Sequence, residues 1–156
     1  MVSQSYHRNY ALLFILEIVE QIGRMSNSLC CVPHLISVQT YHVLHQGRAE
    51  YTLITPGNPP VIEKKLMGTN VKAGEQRQLL VGTGVWKMSR IPPGDLAAAK
   101  TQDEKDRTGC LITEVVTPGF AWEDHKYLTL EGLQELFKGQ KDSDEKVKDI
   151  VPFVKA

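Results

Sequence analysis

Short segments in which apolar and polar residues alternate, or in which apolar residues run together, cover most of the chain from Pro33 onward. Such segments are typical of strands with at least one face on a core. The predicted strands are residues 36–45, 48–55, 61–67, 77–81, 85–91 and 110–116. Glycine or proline stands at the breaks, in residues 46–47, 56–60, 72–74, 82–84 and 91–94, and supplies the backbone angles that tight turns need. The pattern predicts an all-β fold, an antiparallel sandwich or barrel.

A different pattern stands near the start of the chain. Its apolar residues form a broad stripe between residues 10 and 25, and they are Leu13, Phe14, Leu16, Ile18, Val19 and Ile22. This stripe predicts an N-terminal helix that ends near Gly23. The apolar run is about half as long as a membrane-spanning helix, and Glu17 interrupts it, so we expect neither a signal sequence nor a membrane span.

The C-terminal part is again helical in pattern. Thr129 is a candidate N-cap, and the stripe that follows it comprises Leu130, Leu133, Leu136 and Phe137. We expect this C-terminal helix to cover one side of the barrel, and the polar residues 100–109 to form a solvated loop. The predicted organisation is a helical segment over 1–32, a β-barrel domain with its C-terminal helix over 33–140, and a charged tail over 141–156 that is frayed or extends the helix.

Composition narrows the class of partner. The 156 residues carry 18 Lys and Arg against 18 Asp and Glu, which gives a formal net charge of zero. Nucleic acids and anionic membranes attract clustered positive charge, so neither is an expected partner. The cysteines are Cys30, Cys31 and Cys110, an odd number without metal-binding spacing. Free thiols in a reducing compartment fit this set best, so we expect a cytoplasmic protein.

Three stretches resemble signature sequences of the cupin superfamily. Residues 42–51, HVLHQGRAEY, resemble the hairpin that closes cupin motif one, and residues 74–87 resemble motif two. The most specific stretch is EVVTPGFAWED, residues 114–124, which is similar to the ending of a small RmlC-like cupin family of fungi and bacteria. Members of that family are commonly labelled as of unknown function. The resemblance covers about residues 33–140, whereas the first thirty or so residues lack the family's usual N-terminal strands.

The resemblance implies a cupin-type jelly-roll barrel, usually a homodimer, with a small-molecule pocket in its mouth. Sugar-nucleotide 3,5-epimerases, germins and seed storage proteins are structural relatives. Because one fold hosts many functions, the resemblance carries no particular reaction to this chain.

Metal-binding cupins hold a divalent ion with three histidines and a glutamate. Alignment on the hairpin glycine Gly47 places His34 at the first histidine, but Ile36 at the second, Thr40 at the glutamate and Lys87 at the last histidine. One ligand of the four remains, and a cation there would face an ammonium group. We therefore predict no metal and no other cofactor.

Regular alternation along one strand would place His34 and His42 on the same interior face. With Lys87 they would form a catalytic group in the cavity, in which histidine moves protons near neutral pH and desolvation favours the neutral amine of lysine. The predicted substrate-binding residues are Arg48, Tyr51, Glu114, Phe120 and Trp122. Other interpretations stay open: an inward histidine is often a hydrogen-bonded core residue, a lysine can extend to the rim, and residues 118–125 can serve barrel closure.

These residues suggest a cofactor-free isomerase, epimerase or cyclase that acts on a small molecule by proton transfer. A binding module for a sugar-like or aromatic metabolite without turnover is the alternative, and a dimerising structural protein with a residual pocket is a third. A cationic interior of His34, His42 and Lys87 would favour a ligand with an anionic or enolisable oxygen. Convergence of these three side chains in a cavity open to solvent would separate the enzyme hypothesis from the others. An outward-facing Lys87, or a cavity filled by Phe and Leu side chains, would contradict that hypothesis.

Overall fold

The computed structural model describes residues 14–20 and 33–154, with the backbone alone at residues 14–20, 34, 36 and 122. The strands in this part are β1 Phe14–Glu20, β2 His34–Ile36, β3 Gln39–Gly47, β4 Ala49–Thr55, β5 Val61–Met67, β6 Gln78–Val81, β7 Trp86–Arg90, β8 Gly109–Thr117 and β9 His125–Tyr127. The helices are α1 Pro93–Ala98, α2 Gln102–Arg107, α3 Leu130–Leu136 and α4 Ser143–Val147. Short 3₁₀ helices occupy Val71–Ala73, Trp122–Asp124 and Val151–Phe153.

The strands form two antiparallel sheets. One sheet has the order β1-β8-β3-β6, and the other has the order β5-β4-β7-β2-β9. Hydrogen bonds between strands do not join the two sheets into a closed barrel within residues 14–20 and 33–154. The prediction of an antiparallel all-β fold is confirmed, and the arrangement is that of a jelly-roll sandwich rather than a closed ring of strands.

The main core lies between the two sheets. Strand β8 shows how the sequence builds it, because alternate residues such as Cys110, Ile112 and Val116 are buried while their neighbours are partly exposed. The buried residues of this core are Ala49, Tyr51, Leu53, Met67, Leu79, Val81, Ile91, Cys110 and Ile112. The predicted strands 48–55, 61–67, 77–81, 85–91 and 110–116 each overlap an observed strand.

A second core covers the outer face of the five-stranded sheet. It consists of Ile54, Leu128, Leu133, Phe137 and Ile150. The predicted C-terminal helix is confirmed as α3, and the Thr129 hydroxyl caps it by accepting a hydrogen bond of 3.1 Å from the amide of Gly132. Ile150 belongs to the charged tail, so part of that tail packs on the sheet. Strand β4 is buried almost throughout because both of its faces are covered.

The expected N-terminal helix is wrong over residues 14–20. These residues form β1, which pairs with β8 in the register that places Phe14 opposite Val115 and Glu20 opposite Gly109. The run FILEIVE is rich in β-branched residues, which favour strands, and a short apolar run fits a helix or a buried strand equally well. The neighbouring strand, almost 100 residues later in the chain, decides between them. The rest of the predicted helix lies outside the described residues.

The expected loop over residues 100–109 is also wrong, because residues 102–107 form α2. Thr101 is its N-cap, and Thr101 and Glu104 form a capping box in which each side chain accepts a hydrogen bond from the other residue's backbone. A polar, charge-balanced segment therefore makes a solvent-facing helix where its first turn is capped.

The predicted strand 36–45 is in fact two strands. The chain leaves the five-stranded sheet after β2, bends at Ser37 and Val38, and enters the four-stranded sheet as β3. The assumption of one regular strand from His34 to His42 is therefore wrong. The two histidines belong to opposite sheets.

Candidate active site between the two sheets

A buried polar cluster lies between the two sheets. We call Thr40, His42, Tyr51, Lys87 and Glu114 the central cluster. Each of these residues is at most 4% exposed. A group of titratable side chains in an apolar core is costly to bury, so its presence is typical of a functional site or of a fully paired polar network.

Strand alternation and register bring the cluster together. Thr40 and His42 stand two residues apart on β3, and Glu114 on β8 pairs directly with His42, so all three face the interior from one sheet. Lys87 on β7 and Tyr51 on the adjacent strand β4 face it from the other sheet. The cluster therefore links the two halves of the sandwich.

His42 lies at the centre of the cluster, with both ring nitrogens near polar partners. Nδ1 lies 3.1 Å from Oη of Tyr51, and Nε2 lies 3.1 Å from Oγ1 of Thr40 and 3.2 Å from Nζ of Lys87. The carboxylate of Glu114, to which Lys87 also donates, favours the ammonium form of Lys87 over the neutral amine that desolvation alone favours. Because an ammonium group only donates hydrogen bonds, we assign Nε2 as the acceptor and place the ring proton on Nδ1, which donates to Tyr51. Lys87 thereby selects one neutral tautomer of His42.

Lys87 also forms an ion pair with Glu114, in which Nζ donates to Oε1. The other carboxylate oxygen, Oε2, lies 3.9 Å from Nδ1 of His42. Both charged side chains are buried, and their opposite charges compensate each other. The expectation of a cationic interior is therefore wrong at Lys87, because Glu114 compensates its charge. The sequence alone does not show which face of its strand Glu114 occupies, so this pairing could not be predicted.

His34 is described by its backbone alone. In β2 it pairs with Lys87 on one side and with Tyr127 on the other. The predicted catalytic histidines thus come from strands on either side of the core, and the backbone of His34 lies next to a member of the central cluster. The side chain of His34 lies outside the described residues, so its catalytic role stays a prediction.

Arg48 is placed elsewhere. It follows Gly47 at the turn by which the chain passes from β3 in one sheet to β4 in the other, so these two strands do not pair as the expected hairpin. There Nε donates to Glu75 at 2.9 Å and Nη1 donates to Asp95 at 2.6 Å. The Glu75 carboxylate is buried and also accepts a hydrogen bond of 2.7 Å from the backbone amide of Asn70. These contacts fasten the turn between β3 and β4 to the loop after β5 and to α1. The contacts described for Arg48 therefore lie outside the central cluster, and its substrate-binding role stays a prediction.

The segment after β8 contributes a set of aromatic rings. The centroids of Phe120 and His125 lie 6.5 Å apart with an interplanar angle of 60°, and those of His125 and Tyr127 lie 4.8 Å apart with an angle of 78°. These are edge-to-face arrangements. We call Phe120, His125 and Tyr127 the ring set. The side chain of Trp122 lies outside the described residues.

Sequence reasoning missed Tyr127 and the role of Thr40. Thr40 was recognised only as a departure from the metal-binding pattern, yet its hydroxyl contacts His42. The spacing His125-Lys126-Tyr127 places two aromatic residues on one face of a strand, and this signal could have identified the ring set.

An open groove with a volume of about 410 Å³ lies where β3 begins and β8 ends. Its lining residues are Ser37, Val38, Gln39, Thr83, Thr117 and Pro118. Gln39 on β3 pairs with Thr117 on β8. Gln39 directly precedes Thr40 of the central cluster, and Thr117 directly follows the buried Val116. The groove thus lies at the end of β3 near the cluster, but strand alternation directs the side chains of Gln39 and Thr117 to the outer face of the four-stranded sheet, away from Thr40.

The donors of the site do not fit a divalent cation. The resemblance to metal-binding cupins implies that Lys87 stands where the last histidine ligand would be, and its Nζ is a hydrogen-bond donor that carries positive charge. Among the side chains that the structure describes, no group of three or more His, Cys, Asp or Glu is arranged to hold a metal ion. Since the side chain of His34 was not part of that set, the absence of a metal stays a prediction that rests on the donor types.

Comparison with known proteins gives the class. The family model of the cupin superfamily that bears the description DUF985 matches residues 25–128. The match covers more than half of the chain, so the chain belongs to this family of cupins. The resemblance inferred from the signature sequences is thereby confirmed.

One curated protein is similar to part of the chain. A Saccharomyces cerevisiae protein named uncharacterized protein YML079W is 36% identical over 87 residues, which are 56% of this chain and 38% of the yeast protein. The chain therefore spans well under half the length of that relative.

Solved structures extend the comparison to the fold. Protein SO0799 from Shewanella oneidensis superimposes with a TM-score of 0.68 at 18% identity, over 97% of this chain and 80% of that one. A hypothetical protein from Leishmania major gives 0.57 at 22% identity, over 74% of this chain and 66% of that one. At such identities these similarities show a shared fold alone.

None of the helices in the described part of the chain is both long enough and apolar enough to cross a membrane.

Proposed function

We propose that this cupin is a cofactor-free enzyme that isomerises, epimerises or cyclises a small molecule by moving protons next to a carbonyl group. The observation that carries the proposal is the hydrogen-bonded chain from Glu114 through Lys87 and His42 to Tyr51. Each link joins a donor to an acceptor, so a proton lost at one end can be replaced from within the site.

The proposed step begins with removal of a proton from the carbon beside the carbonyl. His42 Nε2, which holds a lone pair, takes this proton when substrate replaces its present donors, and the electron pair of the C–H bond moves to form an enolate. The ammonium group of Lys87 stabilises the negative charge on the enolate oxygen. A proton returned by Tyr51 to the opposite face of the same carbon gives an epimer, and a proton returned by His42 to the neighbouring carbon of an enediolate gives a positional isomer. Charge is conserved throughout.

Tyr51 is suited to return the proton. If His42 carries its proton on Nδ1 and donates to Oη of Tyr51, the phenol hydrogen is directed toward a different acceptor. After Tyr51 gives up that hydrogen, the donor on Nδ1 stabilises the phenolate that remains. His34 stays a second proposed proton carrier, because its backbone lies beside Lys87.

Binding without turnover is the second candidate, and one observation favours it. Every buried side-chain nitrogen and oxygen in the described part of the chain has a hydrogen-bond partner. A fully paired network is also what a rigid polar core requires. The cluster would then be structural, and a bound metabolite would leave the protein unchanged.

Deuterium uptake from solvent separates the two candidates. The purified protein is incubated in D₂O with a panel of small hydroxyketones, cyclic ketones and lactones, and mass spectrometry follows incorporation at carbon. We expect uptake into at least one compound, and His42→Gln should slow it by about 10²–10⁴-fold. His45→Gln is the matched control, because His45 is exposed on the same strand and bonds to Thr113. Uptake by no compound, or equal uptake in both variants, would contradict the proposal.

A further inference from the structure

The hydroxyl of Thr40 lies between the two sheets, beside Nε2 of His42. Thr40 is 1% exposed, and its Oγ1 lies 3.1 Å from Nε2. In the described part of the chain this nitrogen is the hydrogen-bond partner of the hydroxyl. A buried polar group costs free energy unless it is paired, so the contact holds the hydroxyl against one edge of the imidazole ring.

Two groups with different hydrogen-bonding capacity thus face Nε2. The ammonium of Lys87, 3.2 Å away, carries hydrogens but no lone pair, so it can only donate. The hydroxyl of Thr40 carries one hydrogen and two lone pairs, and it can rotate to donate or to accept. Of these two groups, Thr40 alone can form a hydrogen bond with Nε2 both before and after that nitrogen takes up a proton.

The charges around His42 make this difference important once the ring is protonated. Lys87 then brings a like charge close to the imidazolium ion and opposes its formation, whereas the Glu114 carboxylate, 3.9 Å from Nδ1, favours it. The described side chains that face His42 from the strands packed against it are Tyr51 on β4, Lys87 on β7, Glu114 on β8 and the apolar Leu79 on β6. At Nε2 itself, the acceptor that these contacts provide is Thr40.

We propose that Thr40 is a positioning residue that stabilises His42 in both protonation states of the proton-transfer step. In the resting site its hydroxyl donates to the lone pair of Nε2. The hydroxyl turns aside when the C–H group of the substrate approaches, and after the proton has moved from carbon to Nε2, Oγ1 accepts a hydrogen bond from the new N–H. This second hydrogen bond is the stronger one because its donor is ionised, so Thr40 makes His42 a stronger base. The inference rests on the proposed function, for which it identifies a group that acts through the base.

Nitrogen NMR of the imidazole ring tests the resting hydrogen bond without a substrate. Long-range proton–nitrogen spectra of the wild type should show the ring proton of His42 on Nδ1 and a lone pair on Nε2. Thr40→Val replaces the hydroxyl by a methyl group and should shift the Nε2 signal toward that of a lone pair with fewer donors, while Nδ1 keeps its position. Thr40→Ser should match wild type. A ring proton on Nε2 in wild type, or an unshifted Nε2 in Thr40→Val, would overturn the inference.

The pH dependence of deuterium uptake tests the protonated state. Loss of the acceptor for the imidazolium ion should lower the pKa of His42, so the rising part of the rate profile should move down by about half a pH unit in Thr40→Val. The weaker and less firmly held base should also lower the maximal rate about tenfold, with the half-saturating substrate concentration unchanged. Thr40→Ser should restore both. Thr113→Val is the matched control, because it removes a hydroxyl that lies 2.6 Å from Nε2 of His45, outside the central cluster.

The inference and the proposed function fail in different ways. A wild-type rate and pH profile in folded Thr40→Val, with uptake lost in His42→Gln, would contradict the role of Thr40 and leave the proposed function supported. Absence of uptake in wild type, together with the expected Nε2 shift in Thr40→Val, would contradict the proposed function and leave the hydrogen bond from Thr40 supported. Thr40→Ala removes the same hydroxyl and makes both comparisons if Thr40→Val does not fold.

Discussion

At the scale of single residues, the charge of Lys87 depends on its partners. Buried between the sheets, its ammonium donates to Glu114 and to His42. The cost of removing both charges from water is offset only while the pair is intact. Lys87 and Glu114 are therefore both structural and, in the proposed function, electrostatic groups.

Lys87→Met should lower the free energy of unfolding by about 3–5 kcal/mol, because it leaves the Glu114 carboxylate buried without its cation. Lys87→Met combined with Glu114→Leu should recover part of this loss, since neither charge then remains. Urea denaturation measures both variants.

Lys65→Met is the control for this prediction. The ion pair of Lys65 with Glu63 lies at the surface, with the two side chains 35% and 49% exposed, so its loss should cost less than about 1 kcal/mol. Equal stability of Lys87→Met and Lys65→Met would contradict the role assigned to the buried pair.

Much of the site could be named from the sequence, but its pairings could not. His42, Tyr51, Lys87 and Glu114 are polar residues in strand patterns, and the cupin resemblance singled out their segments. The contact between Lys87 and Glu114 depends on which face of β8 turns inward and on how two sheets pack. That information lies in residues far apart in the chain, so local alternation does not supply it.

At the scale of elements, two segments were predicted wrongly because strands elsewhere in the chain determine their structure. Residues 14–20 carry an apolar run that fits either a helix or a strand, and pairing with β8 makes it a strand. The bend at Ser37 and Val38 sends β2 and β3 into different sheets, although the sequence there continues a strand pattern. Helix α2 is the reverse case. The capping residues Thr101 and Glu104 are a local helix signal, yet the polar composition of the segment predicted a loop.

The capping box of α2 predicts a titration. The backbone amide of Thr101, then that of Lys100 and the hydroxyl of Thr101, donate to the Glu104 carboxylate and hold the pKa of Glu104 below its usual range. Because the folded-state pKa is lowered, the contribution to stability is complete above the unfolded pKa of about 4.3 and is lost as pH falls through the folded value.

Carbon NMR of the Glu104 carboxyl group as a function of pH measures this pKa. Thr101→Ala removes the hydroxyl donor and weakens the cap, so the pKa of Glu104 should rise toward its ordinary value in that variant. The prediction fails if the two proteins titrate together at the ordinary value.

At the scale of the whole molecule, the C-terminal segments complete the fold. Ile150 lies at 3% exposure against the second core, on the outer face of the five-stranded sheet. Strand β4 thus has apolar cover on both faces and supports Tyr51 between them. The homodimer implied by the family and the cytoplasmic location stay predictions.

Ile150→Ala should lower the free energy of unfolding by about 2–5 kcal/mol, because it leaves a cavity beneath the C-terminal segment. Val151→Ala at the next position is the control, and Val151 is 40% exposed, so its change should stay within about 0.5 kcal/mol. Chemical denaturation that ranks the two variants equally would show that the tail does not stabilise the sandwich.

The most direct test of the central claim compares the rate of deuterium uptake at carbon in the wild-type protein with that in His42→Gln. The proposed chain from Glu114 to Tyr51 passes through this one side chain, so the variant should lose about 10²–10⁴-fold in rate while His45→Gln keeps the wild-type rate. Equal rates in His42→Gln and His45→Gln, or the absence of uptake in wild type, would contradict the account.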